Sequence, residues 1–191
     1  TAQALTPHPP AHSPPGTGRT AGWHPLSWLT LEANAALSRN RLLDFDEYVE
    51  DWDNGTTVIH YDDAALAYSP SAILNGFINL HFKGFRAQWH TGYVSRMYLD
   101  NTENAERSLP AWSLTDLSLG YTIKIPRKYG FKEIDLGVDM NNPFNAHVAQ
   151  SGWVYSAIYA SGGHPNDHRY YQIGFIPVAP CNAQVSVRIR F

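Results

Sequence analysis

The sequence predicts an all-β chain, built as an antiparallel meander of about six amphipathic strands. Three observations predict it. Apolar and polar residues alternate over several stretches. The last is the plainest: Ala183, Val185, Val187, Ile189 and Phe191 interleave with Asn182, Gln184, Ser186, Arg188 and Arg190. A strand sends successive side chains to opposite faces, so such a stretch has one greasy face and one wet face. The connections alternate in length, with short ones after Trp23, Lys83 and Lys124 and long ones after Arg39, Tyr98 and Asn141. Charged residues are only 16% of the 191 residues and aromatics are 13%, a balance that departs from ordinary soluble domains in both respects.

Taken in order, residues 1–21 carry Pro7, Pro9, Pro10, Pro14, Pro15, Gly16 and Gly18. A segment of this composition lacks apolar surface to bury, so it reads as a disordered or foreign leader. The structured segment is expected to span residues 22–191. Gly22 to Trp28 reads as a turn around Pro25 with aromatic flanks. Leu29 to Arg39 alternates as a strand. Asn40 to Ser71 is an acidic and aromatic connection with a turn at Asp53-Asn54-Gly55 and room for a short strand at Thr56 to Tyr61. Its carboxylates bring calcium to mind, but Asp51 to Gly55 lacks the full EF-hand spacing and its distal Glu, so a solvated acidic loop is expected.

Ala72 to Lys83 and Phe85 to Tyr98 alternate on either side of a minimal connection at Lys83-Gly84, the signature of a hairpin. Leu99 to Pro110 is polar. Ala111 to Lys124 and Glu133 to Asn141 alternate again, separated by a basic turn, and Pro143 ends the second because it has no N–H for a ladder. Ala146 to Cys181 is the other long connection, rich in Trp, Tyr and His. Asn182 to Phe191 is the final strand.

Several function classes are excluded or disfavoured. The net charge of −3 and the lack of a basic stripe argue against nucleic acid. The single Cys181 permits neither an intrachain disulfide nor a cysteine zinc site. No Walker, dinucleotide, nucleophile-elbow or His-Glu-x-x-His motif occurs, and His164-Pro165-Asn166-Asp167-His168 lacks the helix that an H-x3-H metal face needs. No catalytic residue, metal or cofactor is therefore expected. No apolar run reaches the length of a membrane helix, but barrel strands need only about 9–11 residues. Short turns on one side, long loops on the other, charge confined to one face and aromatics near strand ends suit a segment of a transmembrane β-barrel. Six strands do not close one, so the segment is expected to be open. The alternative is a soluble β-sandwich that binds carbohydrate through loop Trp and Tyr.

Trp28 to Arg39, Tyr98-Leu99-Asp100-Asn101-Thr102, Leu-Ser-Leu-Gly-Tyr-Thr at 117–122 and Val-Asp-Met-Asn-Asn-Pro-Phe-Asn at 138–145 carry a resemblance. With Gly152-Trp153-Val154-Tyr155 and a terminal strand ending in Phe191, they resemble the carboxy-terminal barrel of TonB-dependent outer-membrane receptors, in the form found in Bacteroidetes-type bacteria. The resemblance covers about Gly22 to Phe191. It implies the outer membrane of a Gram-negative bacterium, contact with lipid, and import of an iron chelate, cobalamin or glycan. It also implies an amino-terminal plug, the remaining strands of a twenty-two-stranded barrel, and the TonB energy-coupling system. This sequence holds neither plug nor TonB-engaging motif, so a truncated segment, not transport-competent alone, is expected. The resemblance further implies that external loops supply ligand contacts: Trp153, Tyr155, Tyr159, Tyr170 and Tyr171 for stacking, and Asp100, Asn101 and Arg107 for polar contacts. It makes Phe191, with Ile189 and Val187, part of a signal for the barrel-assembly machinery.

Overall fold

The computed structural model describes residues 11–12, 16–126, 128, 130–159 and 169–191. The described residues are all-β in their regular structure, with a short 3-10 turn at Ala105–Arg107. Its strands are β1 (Ala11–His12), β2 (Thr17–Leu26), β3 (Leu29–Leu37), β4 (Arg41–Asp51), β5 (Gly55–Ala65), β6 (Ala72–Phe82) and β7 (Phe85–Val94). There follow β8 (Met97–Tyr98), β9 (Ser108–Leu109), β10 (Trp112–Lys124), β11 (Glu133–Asn141), β12 (Ala149–Ile158), β13 (Arg169–Pro177) and β14 (Asn182–Arg190). No helix among the described residues is long and apolar enough to cross a membrane.

The main sheet runs β2-β3-β6-β7-β10-β11-β14, an antiparallel meander open at both edges. All six strands expected from the alternation are in it, in chain order. The estimate of about six strands is too low for two reasons. Residues 17–21, assigned to the leader, begin β2, which pairs with β3 from Thr17↔Leu37 to Leu26↔Leu29. The turn expected at Gly22 to Trp28 tightens to Ser27-Trp28. The two long connections are also not loops but hairpins, β4/β5 and β12/β13.

Each hairpin prolongs a strand pair of the main sheet. The β3/β6 ladder ends at Leu37↔Ala72, continues through Ser38 N–H to Ser71 O and Leu66 N–H to Asn40 O, and resumes at Arg41↔Ala65. The β11/β14 ladder ends at Asn141↔Asn182 and resumes at Ala149↔Pro177. Between them, β8/β9 prolongs β7/β10. Long hairpins thus rise from one end of the sheet, while short turns close the other. The turn at Lys83-Gly84 has φ of 47° and 86°, the paired positive values whose twist suits a two-residue hairpin.

The register aligns residues of like character across the sheet. One row reads Leu29, Leu80, Ala87, Leu119, Val138, Val185; another reads Phe82, Phe85, Tyr121, Leu136, Val187. On the opposite face run Thr30, Asn79, Gln88, Ser118, Asp139, Gln184 and, lower down, Thr122, Asp135, Arg188. The polar face is the concave one: a trough of about 880 Å³ opens on it from β6 across to β14. The apolar face stays uncovered, with Phe82, Tyr121, Val185 and Val187 all exposed. The buried hydrophobic residues lie instead on and between the hairpins: Leu42, Val49, Ala64, Leu99, Leu109 and Ala157.

A Cβ at Gly84 would stand 2.8 Å from the Thr122 carbonyl oxygen, at a φ that L side chains rarely adopt. Gly84→Val is expected to destabilise the β6/β7 turn by about 1–3 kcal/mol, measured as a lower thermal midpoint in far-UV circular dichroism, with Lys83→Asn close to neutral.

Candidate functional site

The hairpins form the candidate site because they are where the chain buries its aliphatic residues and two arginines and links its segments by polar side chains. β4 pairs along one edge with β5; at its tip, the other edge meets β12 in a short parallel bridge, Ala157↔Glu50 and Ile158↔Asp51, extended by Trp52 N–H to Ile158 O at 3.0 Å. This joins the two outer hairpins into a second, five-stranded sheet, in which the path β5-β4-β12-β13 carries the hairpins and β1 pairs with the start of β4.

The inner face of that sheet carries a buried ion pair. Arg169, 3% exposed, donates Nη1 to Glu47 Oε1 at 3.0 Å and Nη2 to Oε2 at 2.8 Å. Burial opposes the guanidinium charge, but the two bonds to Glu47 hold the Arg169 pKa above its ordinary value. Tyr61 donates its hydroxyl to the same Oε2 at 3.1 Å. The middle hairpin packs here too. Arg107, 2% exposed, holds Asp100 at 2.7 Å, donates to Thr102 Oγ1 at 2.5 Å, and lies over the Tyr171 ring at 5.7 Å. Asn101 Oδ1 accepts the Ala67 N–H, Tyr171 donates to Glu106, and Tyr68 donates to the Gly152 carbonyl.

The residues expected to contact ligand therefore divide. Asp100, Asn101, Arg107 and Tyr171 are engaged in joining the hairpins. Trp153, Tyr155 and Tyr170 stand on the opposite, outward face, together with Tyr159 near the hairpin tip. Two residues on that face were missed in the sequence, Tyr48 and Trp52, although Tyr48-Val49-Glu50-Asp51-Trp52 alternates and its ring positions share a parity. Trp52 packs on Tyr159 and Tyr170 at 5.6 and 5.9 Å between centroids. Tyr155 donates its hydroxyl to Glu50 Oε2 at 2.6 Å, and that bond holds the phenol above its usual pKa. Val187 and Ile189 lie within β14 and Phe191 just beyond it, all three exposed, and Lys132 Nζ donates to the Phe191 carbonyl at 2.6 Å.

The Asp51 carboxylate, weighed in the sequence for calcium, is occupied by its own turn. It accepts from the Asp53 and Asn54 N–H groups, from Asn54 Nδ2 and from the Thr57 hydroxyl. No group of three or more His, Cys, Asp or Glu among the described residues is arranged to hold a metal ion. His164, Asp167 and His168 lie outside the described residues. In the trough, Arg86 Nη1 donates to Thr122 Oγ1 at 2.6 Å, Thr122 donates to Asp135 at 2.5 Å, and Arg190 pairs with Glu133 at 2.5 Å. Arg86, Asp135, Glu133 and Arg190 thus pair across strands. No protein-family model, curated protein or solved structure matches the chain.

Two outcomes follow for the hairpins. Glu47→Gln strips the partner from a buried guanidinium and is expected to cost the hairpin assembly about 3 kcal/mol or more, read as faster amide exchange at Val49 and Tyr171; the double variant Glu47→Gln, Arg169→Met should recover part of it. Hydrogen bonds from Thr57 and Asn54 hold the Asp51 pKa below its ordinary value. The folded form therefore gains stability above about pH 4, lost as pH falls through the lower folded value. Asp51→Asn is expected to flatten that acid slope in a pH series of thermal melts.

Proposed function

We propose that this chain forms a wall sector of an outer-membrane β-barrel of the TonB-dependent receptor type, with its hairpins on the external side. The observation that carries the reading is the direction of curvature. The main sheet curls with its charged rows inside and its apolar rows outside and uncovered. A soluble sandwich does the opposite, closing apolar faces against a second sheet about 10 Å away. Here the second sheet leaves the apolar rows open, which disfavours the soluble carbohydrate-binding module. Short turns at one end and long hairpins at the other match the periplasmic and external sides of such barrels.

In this reading lipid covers the apolar rows, and the paired charges face a wet lumen. β2 and β14 each present an unpaired ladder edge, which hydrocarbon does not tolerate. Further strands, in the same polypeptide or another, complete the wall. A plug and the TonB system drive import of an iron chelate, cobalamin or glycan through the complete pore, and the sector alone imports nothing. Phe191, Ile189 and Val187 present the end of β14 to the barrel-assembly machinery. No reaction is catalysed.

The test is membrane insertion. The chain should need detergent or lipid to remain monomeric. Val187→Lys, on the apolar face, is expected to cost insertion about 2–4 kcal/mol near the bilayer midplane, measured as the fraction resisting carbonate extraction. Ser186→Lys, on the trough face, should extract like the parent chain. A chain that stays monomeric in plain buffer sinks the proposal.

A further inference from the structure

We infer that the outward face of the β5-β4-β12-β13 sheet is a binding platform for a neutral oligosaccharide. This deepens the reading above by naming a ligand class for its external hairpins, and it rests on that reading only for where the platform points.

Five aromatic side chains of this one face are at least 40% exposed: Tyr48, Trp52, Trp153, Tyr155 and Tyr170. That is unusual for a face whose reverse side is packed, since large rings normally supply the core. Each of the five is Trp or Tyr, with an apolar body and a polar tip, and none is Phe. Such rings suit a ligand that is itself half apolar and half hydroxylated. A pyranose is of that kind, with C–H bonds on one face and hydroxyls around its rim.

The seating of Trp153 supports stacking specifically. Gly174 is its cross-strand partner. A Cβ at Gly174 would overlap the Trp153 ring atoms Nε1, Cε2 and Cζ2. The indole therefore lies down over the glycine backbone instead of standing off the sheet. One ring face is covered by β13 and the other is presented to solvent. Any larger residue at 174 would displace the ring.

The polar groups of the face select the ligand. Glu50 lies beside Tyr155, and Gln172 is the cross-strand partner of Tyr155. A carboxylate and an amide are acceptors and donors for sugar hydroxyls. The positions of β4, β5, β12 and β13 that share this face carry neither Lys nor Arg, and their one imidazole, His60, is engaged by Asp46 at 2.8 Å with Asp44 and Asp62 beside it. Phosphate, nucleic acid and anionic lipid would each require a cation there. A quaternary ammonium would be drawn by rings and a carboxylate, but it needs rings standing apart around a cage. Trp52, Tyr159 and Tyr170 instead pack directly on one another at 5.6 and 5.9 Å, which leaves no cage. Trp153 stands four residues along β12 from Ala157, the bridge position beside Glu50, or about 13 Å at the strand rise. The platform is therefore longer than a single sugar ring.

The test titrates the purified full chain in detergent with maltohexaose, cellohexaose and mannohexaose, read by tryptophan fluorescence and calorimetry. At least one hexaose should saturate at about millimolar concentration or below. Trp153→Ala and Trp52→Ala should each weaken it about tenfold, and Glu50→Gln about fivefold. Trp23→Ala, on β2 and away from the hairpins, should leave binding unchanged. Trp52→Ala lies on a different strand pair, so a loss of fold in Trp153→Ala does not remove the test. The inference is overturned if no hexaose saturates, if both tryptophan variants bind like the parent, or if tetramethylammonium binds in place of sugar. Failure of sugar binding by a chain that still needs detergent overturns the platform alone. Sugar binding by a chain that is monomeric without detergent overturns the membrane reading and leaves the platform standing.

Discussion

The coupling of a two-residue side-chain period to the direction of sheet curvature decides everything else about this molecule. Six adjacent strands, from β3 to β14, pair without a register shift, so apolar residues line up in rows and polar residues line up behind them. The curl then places the polar rows within an arc. An arc of this sense has no core of its own, because the side with room to pack is the side with charge. What stabilises it is a ladder of backbone hydrogen bonds and the cross-strand pairing of Arg86, Thr122, Asp135, Glu133 and Arg190; in the barrel reading proposed above, lipid accepts the apolar outside.

The hairpins obey the opposite rule. They hold the buried aliphatic residues, two buried arginines, and carboxylates, amides and hydroxyls that satisfy one another across three segments of chain. This is the chemistry of a protein surrounded by water, where desolvation of apolar groups drives packing and each buried charge needs its partner. One polypeptide thus contains a sheet with an uncovered apolar face and a packed hairpin region, joined where the ladders break at 38–40 and 142–148.

The wall was legible in the sequence and the hairpins were not. Strands such as Leu117–Ile123 or Ala183–Phe191 carry apolar residues on one face and polar residues on the other, so hydropathy itself records the period. β2 escaped because Gly18, Gly22 and Pro25 lower strand propensity and its neighbours are rich in proline. β4 escaped for another reason. Asp44-Phe45-Asp46-Glu47-Tyr48-Val49-Glu50-Asp51 places carboxylates on both faces, and a strand polar on both sides has no hydropathy period. Its inward Glu47 is balanced by Arg169, 122 positions away, and no local pattern carries information over that span. The ring-bearing face was seen in part for the same reason: Trp153, Tyr155, Tyr159 and Tyr170 stood out as loop aromatics, while Tyr48 and Trp52 join them only through the β4–β12 bridge.

That bridge has a mechanical meaning. The hairpins it connects rise from β3/β6 and β11/β14, which flank β7 and β10 in the sheet. A link between two points on an arc is a chord, and a chord of fixed length fixes the radius. The Ala157–Glu50 bridge and the Glu47–Arg169 pair therefore act as a tie rod across the rim of the wall. They limit how far the two hairpins, and the strand pairs below them, can spread apart, and in the barrel reading proposed above that limit bears on the width of the pore.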